Sequence, residues 1–389
     1  MKIRKMLVSL VTCLIVSCMI HVTIVQADEL VSDGKAAILI EAETGEILYE
    51  KNSNEQLAPA SMTKMMSMYL ILEAINNGVM QWDEVIRVSE YAASLGGSQI
   101  FLKPGEEMTV RDLFKSIAIA SANDAVTALA ERVAGTEEAF VEKMNEKAKE
   151  LGMNNTVFKN PTGLTEEGHL TTAYDMSIIG RHLVQDYPEI FEFSGLYEDY
   201  IRQDTESPFW LVNTNKLLKY VAGVDGLKTG YTQEAGYCLT ATASREDMRV
   251  VAVVMGGSKS DIRNQEVTRL IEYAYEQYEL VPKIEANTIV SNGYNMLAKN
   301  RNFQLVTAEP VTVLKKKTDA EQESTYEVVL NEELTLPIHP GDQVGTLTYY
   351  YNGEVYKEIA VTVEEPVEKN SFIGLLGYIV SQILFGENA

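Results

Sequence analysis

The 389-residue sequence predicts an α+β fold, with one mostly antiparallel sheet packed against helices and a separate all-β module after it. Two observations predict it. Strand patterns stand at both ends of a helical middle, and over residues 284–365 the helical period gives way to short apolar segments. Those segments are separated by turns at Asn292-Gly293, Pro340-Gly341 and Asn352-Gly353.

The chain opens with Lys2, Arg4 and Lys5 ahead of an apolar run over residues 6–24, and Val25-Gln26-Ala27 supplies small residues for cleavage. This reads as a signal peptide over residues 1–27. A retained anchor is the alternative, although the run barely reaches the roughly 18 residues that suggest a membrane span. Cys13 and Cys18 fall inside the leader, which leaves Cys238 alone in the mature chain and allows no disulfide within one molecule. Its apolar, Thr-rich surroundings make Cys238 a small packing residue. The formal charge is −23, and −26 without the three basic residues of the leader, so a nucleic-acid binder is excluded. Against such an acidic background, a lysine in an apolar or Gly-rich stretch is informative.

Residues 36–40 and 46–50 flank Thr44-Gly45 as a strand, turn, strand hairpin. Residues 61–75 are apolar nearly all round, as in a helix buried on every side. Helical patterns follow over 110–120, 124–133 and 137–151. Thr172-Ala173-Tyr174-Asp175 has the spacing of a capping box ahead of an apolar run. Past Gly226 the strands 237–243 and 249–255 flank the polar turn 244–247, and a last amphipathic helix carries Val267, Leu270, Ile271, Ala274 and Tyr278. The domains expected are a leader at 1–27, a catalytic domain at 28–282, an all-β domain at 283–366 and a terminal helix at 367–389, with residues 366–370 as a linker. In that helix Phe372, Ile373, Leu375, Leu376, Ile379, Val380, Ile383 and Leu384 share one broad arc. At about 14 residues it is too short to cross a bilayer, which takes about 20, and it reads as lying in the membrane interface rather than docked on the protein.

Three short constellations carry chemistry. The first is Ser61-Met62-Thr63-Lys64 at the head of the buried helix, where Ser61 and Lys64 face the same way one turn apart. Burial lowers the pKa of a lysine and makes it a base for the hydroxyl. Spacing alone does not single this pair out, because Ser32-Asp33-Gly34-Lys35 matches too, although it lies in a turn with no helix to align its side chains. The second is Ser121-Ala122-Asn123 between two helical patterns, where a hydroxyl and an amide can project from a rigid loop, or Asn123 can simply cap a helix. The third is Lys228-Thr229-Gly230, where Gly230 lets another backbone approach closely and a peptide could add as an extra strand, its carboxylate facing Lys228 and Thr229.

Ser-x-x-Lys, Ser-x-Asn and Lys-Thr-Gly in this order resemble the motif set of the penicillin-binding proteins and serine β-lactamases. The chain resembles the low-molecular-mass D-alanyl-D-alanine carboxypeptidases among them, from about residue 28 to its end. The resemblance implies an antiparallel sheet with helices on both faces and a helical subdomain, and a hydrolase that forms an acyl-enzyme on Ser61. Lys64 would take the Ser61 proton, and Ser121 would relay one toward the leaving D-alanine. Asn123 would hold the substrate backbone, and Lys228, Thr229 and Gly230 its carboxylate end. The backbone N–H groups of Ser61 and Tyr231 would form an oxyanion hole. Arg263 sits where some members place an arginine near the carboxylate, although an exposed arginine at a helix start explains it as well. In place of the arginine that some members carry between two asparagines, this chain has Asn213-Thr214-Asn215.

The implied partners are peptidoglycan stem peptides ending in D-Ala-D-Ala, β-lactams as inhibitors and the outer face of the cytoplasmic membrane, with no cofactor, no metal and no nucleic acid. A Ser-His-Asp hydrolase fits poorly, because there is no Gly-x-Ser-x-Gly and the mature chain offers only His169, His182 and His339. A class A β-lactamase would need a Glu-x-x-Leu-Asn segment that is missing, and a bifunctional transpeptidase would need a further domain. A non-hydrolytic binder of cell-wall peptides remains the alternative, opposed by the presence of both Ser61 and Lys64.

Overall fold

A computed structural model of the chain describes residues 30–385, so the leader expected at residues 1–27 lies outside the described residues. The chain divides into two compact units. One is built mainly from residues 47–243 and 250–271, the other mainly from residues 272 onward.

The first unit begins with the hairpin β1 (Ala36–Glu41) and β2 (Ile47–Lys51), an antiparallel pair in which β1 is buried along its whole length. A 3-10 turn, Ala60–Thr63, leads directly into helix α1 (Lys64–Asn76). The run that is apolar all round is buried on nearly every side, from Lys64 to Leu72 without a break. Helices α2 (Val110–Ala120), α3 (Asn123–Ala134) and α4 (Glu137–Glu150) follow within two residues of the sequence-based bounds. Helix α5 (Ala173–Asp186) starts where the capping pattern placed it, with Thr172 Oγ1 accepting the Asp175 N–H at 3.0 Å. A short hairpin, β3 (Glu198–Ile201) with β4 (Phe209–Val212), precedes the strands β5 (Val224–Thr232), β6 (Gly236–Arg245) and β7 (Met248–Gly257) and helix α6 (Ser260–Gln277). Tyr278, read from the sequence as the last apolar position of that helix, is instead the first residue of the next strand.

The central sheet runs β2-β1-β7-β6-β5, which leaves β5 paired only on its β6 side. Helices cover both faces. A Cβ on Gly180 of α5 would sit 3.1 Å from Val251 and 3.2 Å from Thr240, so only glycine lets α5 come that close to the sheet. On the opposite side, the buried Glu266 of α6 accepts the N–H groups of Ser32 at 2.7 Å, Asp33 at 2.6 Å and Gly34 at 3.0 Å. Val251 and Val254 are three residues apart on β7 and therefore face opposite ways, and Val254 is the one beside Gly34. The second Ser-x-x-Lys thus belongs to a structural turn: the Ser32 amide caps Glu266 and Lys35 enters the sheet by donating its N–H to Met255. Cys238 is fully buried and its thiol, pushed up to about 11 by burial, is a packing group.

After α6 the second unit is all-β as far as its terminal helix. Strand β8 (Tyr278–Ile284) pairs with β11 (Val311–Lys316). A five-stranded sheet runs β9 (Ile289–Tyr294), β10 (Asn302–Thr307), β14 (Glu354–Val363), β13 (Gly345–Tyr351) and β12 (Ser324–Leu330). Leu305, Val311, Val313, Leu347, Val361 and Val363 form its core. The stretch read as a linker is bound to this unit, through bridges between Ile338 and Val367 and between Ala298 and Lys369. Helix α7 (Phe372–Phe385) follows, with Tyr378 lying under the Arg301 guanidinium at 3.3 Å. Its apolar arc faces outward: Phe372 is 80% exposed and Ile383 77%. Among the described residues no helix is long and apolar enough to cross a membrane.

Candidate active site

Ser61 sits in the 3-10 turn rather than in the α-helix expected for it, and this matters for its reach to Lys64. Residues three apart eclipse one another in a 3-10 turn, whereas in an α-helix they are offset. The Lys64 ammonium nitrogen accordingly lies 3.1 Å from Ser61 Oγ. The turn is entered through Ala60 at φ 47°, a left-handed conformation that a non-glycine residue adopts only at a cost.

Lys64 is completely buried, and its nitrogen also lies 2.6 Å from Asn123 Oδ1 and 2.5 Å from the Thr162 carbonyl. Burial holds its pKa well below the usual lysine value, the positive charge of Lys228 lowers it further, and Asp124 works in the opposite direction. The three partners suit a neutral amine. A neutral amine has two N–H bonds for the Asn123 and Thr162 oxygens and a lone pair for the Ser61 hydroxyl proton.

Asn123 opens α3 and is held at both ends of its amide. Its Nδ2 donates to the Gly96 carbonyl at 2.7 Å, and its backbone N–H donates to the Ser98 carbonyl at 2.7 Å. Ser121 caps α2 with φ 63°, again left-handed. Its Oγ is buried without a hydrogen-bond partner, a state that few polar atoms occupy. The following Asp124 is buried too, and its carboxylate accepts the N–H groups of Ile100 at 3.1 Å and Leu102 at 3.0 Å.

On β5, Lys228 is buried with its ammonium nitrogen 3.1 Å from the Thr229 carbonyl. Burial, with the neighbouring charge of Arg263, brings its pKa down to about 7. The Thr229 hydroxyl donates to Thr214 Oγ1 at 2.7 Å, so the residue standing in place of an arginine meets the strand as a hydrogen-bond acceptor. Asn213 and Asn215 on either side are spent on backbone groups, Asn213 on Leu196 and Asn215 on Gly226. Gly230 does permit a close approach, but to the turn carrying Ser61: a Cβ there would lie 2.8 Å from the Pro59 carbonyl oxygen and 3.2 Å from Ala60 Cβ. Among the described residues no strand pairs with the other edge of β5. Tyr231 is exposed and lies against Tyr237 of β6, with ring centroids 4.3 Å apart and the rings tilted by 30°. Arg263 is buried rather than exposed, donating to the Cys238 carbonyl at 2.6 Å, and it reaches Lys228 only through its charge.

One element was missed from the sequence. The loop Asn160-Pro161-Thr162-Gly163 supplies the Thr162 carbonyl to Lys64, and the Pro161 carbonyl accepts from Ser67 Oγ at 2.7 Å. Asn160 Oδ1 folds the loop by accepting from Thr162 Oγ1 and Gly163 N, each at 2.8 Å. Gly163 has φ 80°, and a Cβ on it would overlap the Ala60 carbonyl and lie 2.9 Å from Ser61 N. Asn-Pro and Thr-Gly pairs do signal a turn, but nothing in them says where the turn packs. The three histidines are engaged elsewhere, His169 with Thr63 at 3.0 Å, His182 with Asp186 at 3.1 Å and His339 with Asp342 at 3.6 Å. Among the described residues no group of His, Cys, Asp and Glu could hold a metal ion.

Comparison with known proteins agrees with this arrangement. The D-alanyl-D-alanine carboxypeptidase DacF of Bacillus subtilis (strain 168) is 50% identical over 351 residues, 90% of this chain and 90% of the relative. DacC of Escherichia coli (strain K12), another D-alanyl-D-alanine carboxypeptidase, is 34% identical over 88% of this chain and 86% of its own length. The crystal structure of penicillin binding protein 5 from Haemophilus influenzae superposes with a TM-score of 0.72 at 28% identity, covering 87% of this chain and 98% of that one. Penicillin-binding protein D2 of Listeria monocytogenes in its ampicillin-bound form gives 0.57 at 33% identity, over 62% of this chain and 97% of that one. Residues 278–369 match the C-terminal domain of penicillin-binding protein 5. Residues 22–259 match the D-alanyl-D-alanine carboxypeptidase family, and with the relatives aligned along nine-tenths of its length the chain belongs to that family.

Proposed function

We propose that this serine-type D-Ala-D-Ala carboxypeptidase removes the terminal D-alanine of peptidoglycan stem peptides through an acyl-enzyme on Ser61, the same hydroxyl that penicillin acylates. The observation that carries the assignment is the buried Lys64 amine 3.1 Å from Ser61 Oγ. Lys64 takes the hydroxyl proton as Oγ attacks the carbonyl of the penultimate D-alanine. The resulting oxyanion is held by the backbone N–H groups of Ser61 and Tyr231. As the C–N bond breaks, the proton held by Lys64 reaches the departing amine through Ser121, whose unpartnered hydroxyl is free for that relay, and Lys64 is left neutral. Water then hydrolyses the ester, losing a proton to Lys64 that passes back to Ser61 Oγ as the acyl group leaves. Lys228 and Thr229 bind the terminal carboxylate, with Arg263 adding positive potential from below and Gly230 keeping the strand against the Ser61 turn. Asn123 hydrogen-bonds the substrate backbone upstream of the scissile bond. The names of the relatives, and the ampicillin and cefotaxime held by the Listeria neighbours, support this reading.

The enzyme works outside the cytoplasm, where its polymer lies. We assign residues 28–282 to the catalytic domain, 283–366 to an all-β domain and 367–389 to a helix that lies in the outer surface of the cytoplasmic membrane, supported by its outward apolar arc. Fluorescent penicillin labels the wild type and not Ser61→Ala; equal labelling refutes the nucleophile. Mass spectrometry of pentapeptide muropeptides after incubation shows loss of one alanine without cross-linking. Acylation without that loss favours a non-hydrolytic binder. Deleting residues 372–389 releases the protein from membranes, and unchanged association refutes the anchor.

A further inference from the structure

Two walls leave opposite flanks of the Ser121-Ala122-Asn123 turn and meet again outside it. One begins where Asn123 N donates to the Ser98 carbonyl and runs through Ile100, whose N–H is fixed by Asp124, to Phe101. The other begins where Thr214 N donates to the Ile119 carbonyl and runs back along β4 to Phe209. At their outer ends the Phe101 and Phe209 rings face edge to face, centroids 6.0 Å apart and tilted by 61°. Arg202 fastens the meeting point, donating through Nη1 to the Ile100 carbonyl at 2.9 Å and through Nε to Glu106 at 2.7 Å, with its guanidinium 5.9 Å from the Phe209 ring. The arch encloses an open groove of 620 Å³ lined also by Pro104 and Pro208.

Two features separate this arch from ordinary surface. Phe101 is 63% exposed, so a large apolar ring faces water beside a fixed backbone. Phe101 and Arg202 both have φ 57°, the left-handed region that neither residue type favours and that gathers at functional sites. Without that conformation at Phe101, the amides of Ile100 and Leu102 could not both point at Asp124 while the ring between them turns outward.

The geometry points to Phe101 and Phe209 as specificity-determining residues that receive the part of the stem peptide upstream of D-Ala-D-Ala. This rests on the carboxypeptidase reading above. Asn123, which in that reading holds the upstream backbone, anchors the start of the Phe101 wall by donating its N–H to the Ser98 carbonyl. An extended pentapeptide spans roughly 17 Å, so three of its residues extend upstream of the D-Ala-D-Ala held at the site. Its apolar and aliphatic side-chain surface leaves water against the two rings.

The test compares release of D-alanine from acetyl-D-Ala-D-Ala, which ends before the arch, with release from a pentapeptide ending in D-Ala-D-Ala. Wild type has the higher kcat/KM on the pentapeptide. Phe101→Ala lowers that value about tenfold, as expected for losing contact with one ring, and leaves the short substrate and the penicillin acylation rate within twofold. Phe101→Tyr retains the preference. Phe209→Ala repeats the result from the other wall, with thermal unfolding as the check on folding. Equal wild-type rates on the two substrates, or variants that lose equally on both or on neither, overturn the inference. A wild type that releases D-alanine from neither overturns the carboxypeptidase reading with it.

Discussion

Replacing Gly163 by alanine should separate the catalytic geometry from the catalytic side chains, because the substitution leaves every one of them unchanged. Two costs arise from the structure. At φ 80° an L-residue is disfavoured by about 1–2 kcal/mol. The added methyl also overlaps the Ala60 carbonyl and stands 2.9 Å from Ser61 N, where the neighbouring atoms are backbone and cannot swing aside. Either the 160–163 loop or the Ala60–Ser61 peptide must shift, so the Thr162 carbonyl leaves Lys64 or Ser61 N turns away from the oxyanion position. A displacement of about 1 Å at reacting groups costs on the order of a hundredfold in rate. Gly168 supplies the control. It has φ 79° in the same region, but a Cβ there meets only the end of the Lys159 side chain at 3.4 Å. Gly168→Ala carries the backbone strain without the collision. The assay is stopped-flow acylation by a fluorescent penicillin, with unfolding midpoints measured in parallel. Both variants should lose stability by about 1–2 kcal/mol or more, and only Gly163→Ala should lose about a hundredfold in acylation. Acylation within threefold of wild type in Gly163→Ala would refute the reasoning.

Ser121→Ala should slow D-alanine release by about 10²–10⁴-fold, the usual contribution of a positioned proton-transfer group. Its unfolding midpoint should not fall, since the lost hydroxyl makes no hydrogen bond, and a drop in stability would mean that the oxygen has a structural partner. The pH profile of kcat/KM should fall on the alkaline side near pH 7, as Lys228 loses the charge that binds the substrate carboxylate. Arg263→Gln removes a charge that lowers the Lys228 pKa and should move that limb to higher pH; a limb that stays in place, or moves down, contradicts the pairing. His169 provides a stability test, because burial holds its pKa at about 4 against 6.5 when unfolded. Between these values the unfolded chain binds the proton and the folded chain does not, so stability falls as pH drops from 6.5 toward 4 by about 3 kcal/mol and levels off below. Urea titrations of His169→Gln should lack that slope, and an unchanged slope would assign it to another group.

Periodicity and capping carried the fold far. The all-round apolar run became the buried α1, Thr172 capped α5, and alternation found β6 and β7. Local rules did less well where tertiary contact decides. Ser61 entered a 3-10 turn because Gly230 and Gly163 bring two distant backbones against Pro59 and Ala60. Tyr278 left its helix for a strand because its register with Lys316 satisfies the backbone there. The motif set located Ser61, Lys64, Ser121, Asn123 and Lys228, but the Thr162 carbonyl was invisible: a carbonyl carries no side-chain signature, and its role depends on a fold of the loop around Asn160. For Arg263 the structure removes the exposed alternative, and its hydrogen-bond partner is again a main-chain oxygen, that of Cys238.

The strand order has a kinetic corollary. β1, the first strand among the described residues, lies between β2 and β7, and β7 is synthesised about 200 residues later. Lys228 arrives with β5, shortly before that closing strand. The described residues hold a single cysteine and so no internal disulfide, and the sheet must therefore wait, incompletely paired, until nearly all of the first unit has emerged. Reactivity toward penicillin cannot precede that moment, so the appearance of the covalent adduct in a pulse-labelled cell would time the completion of folding on the far side of the membrane.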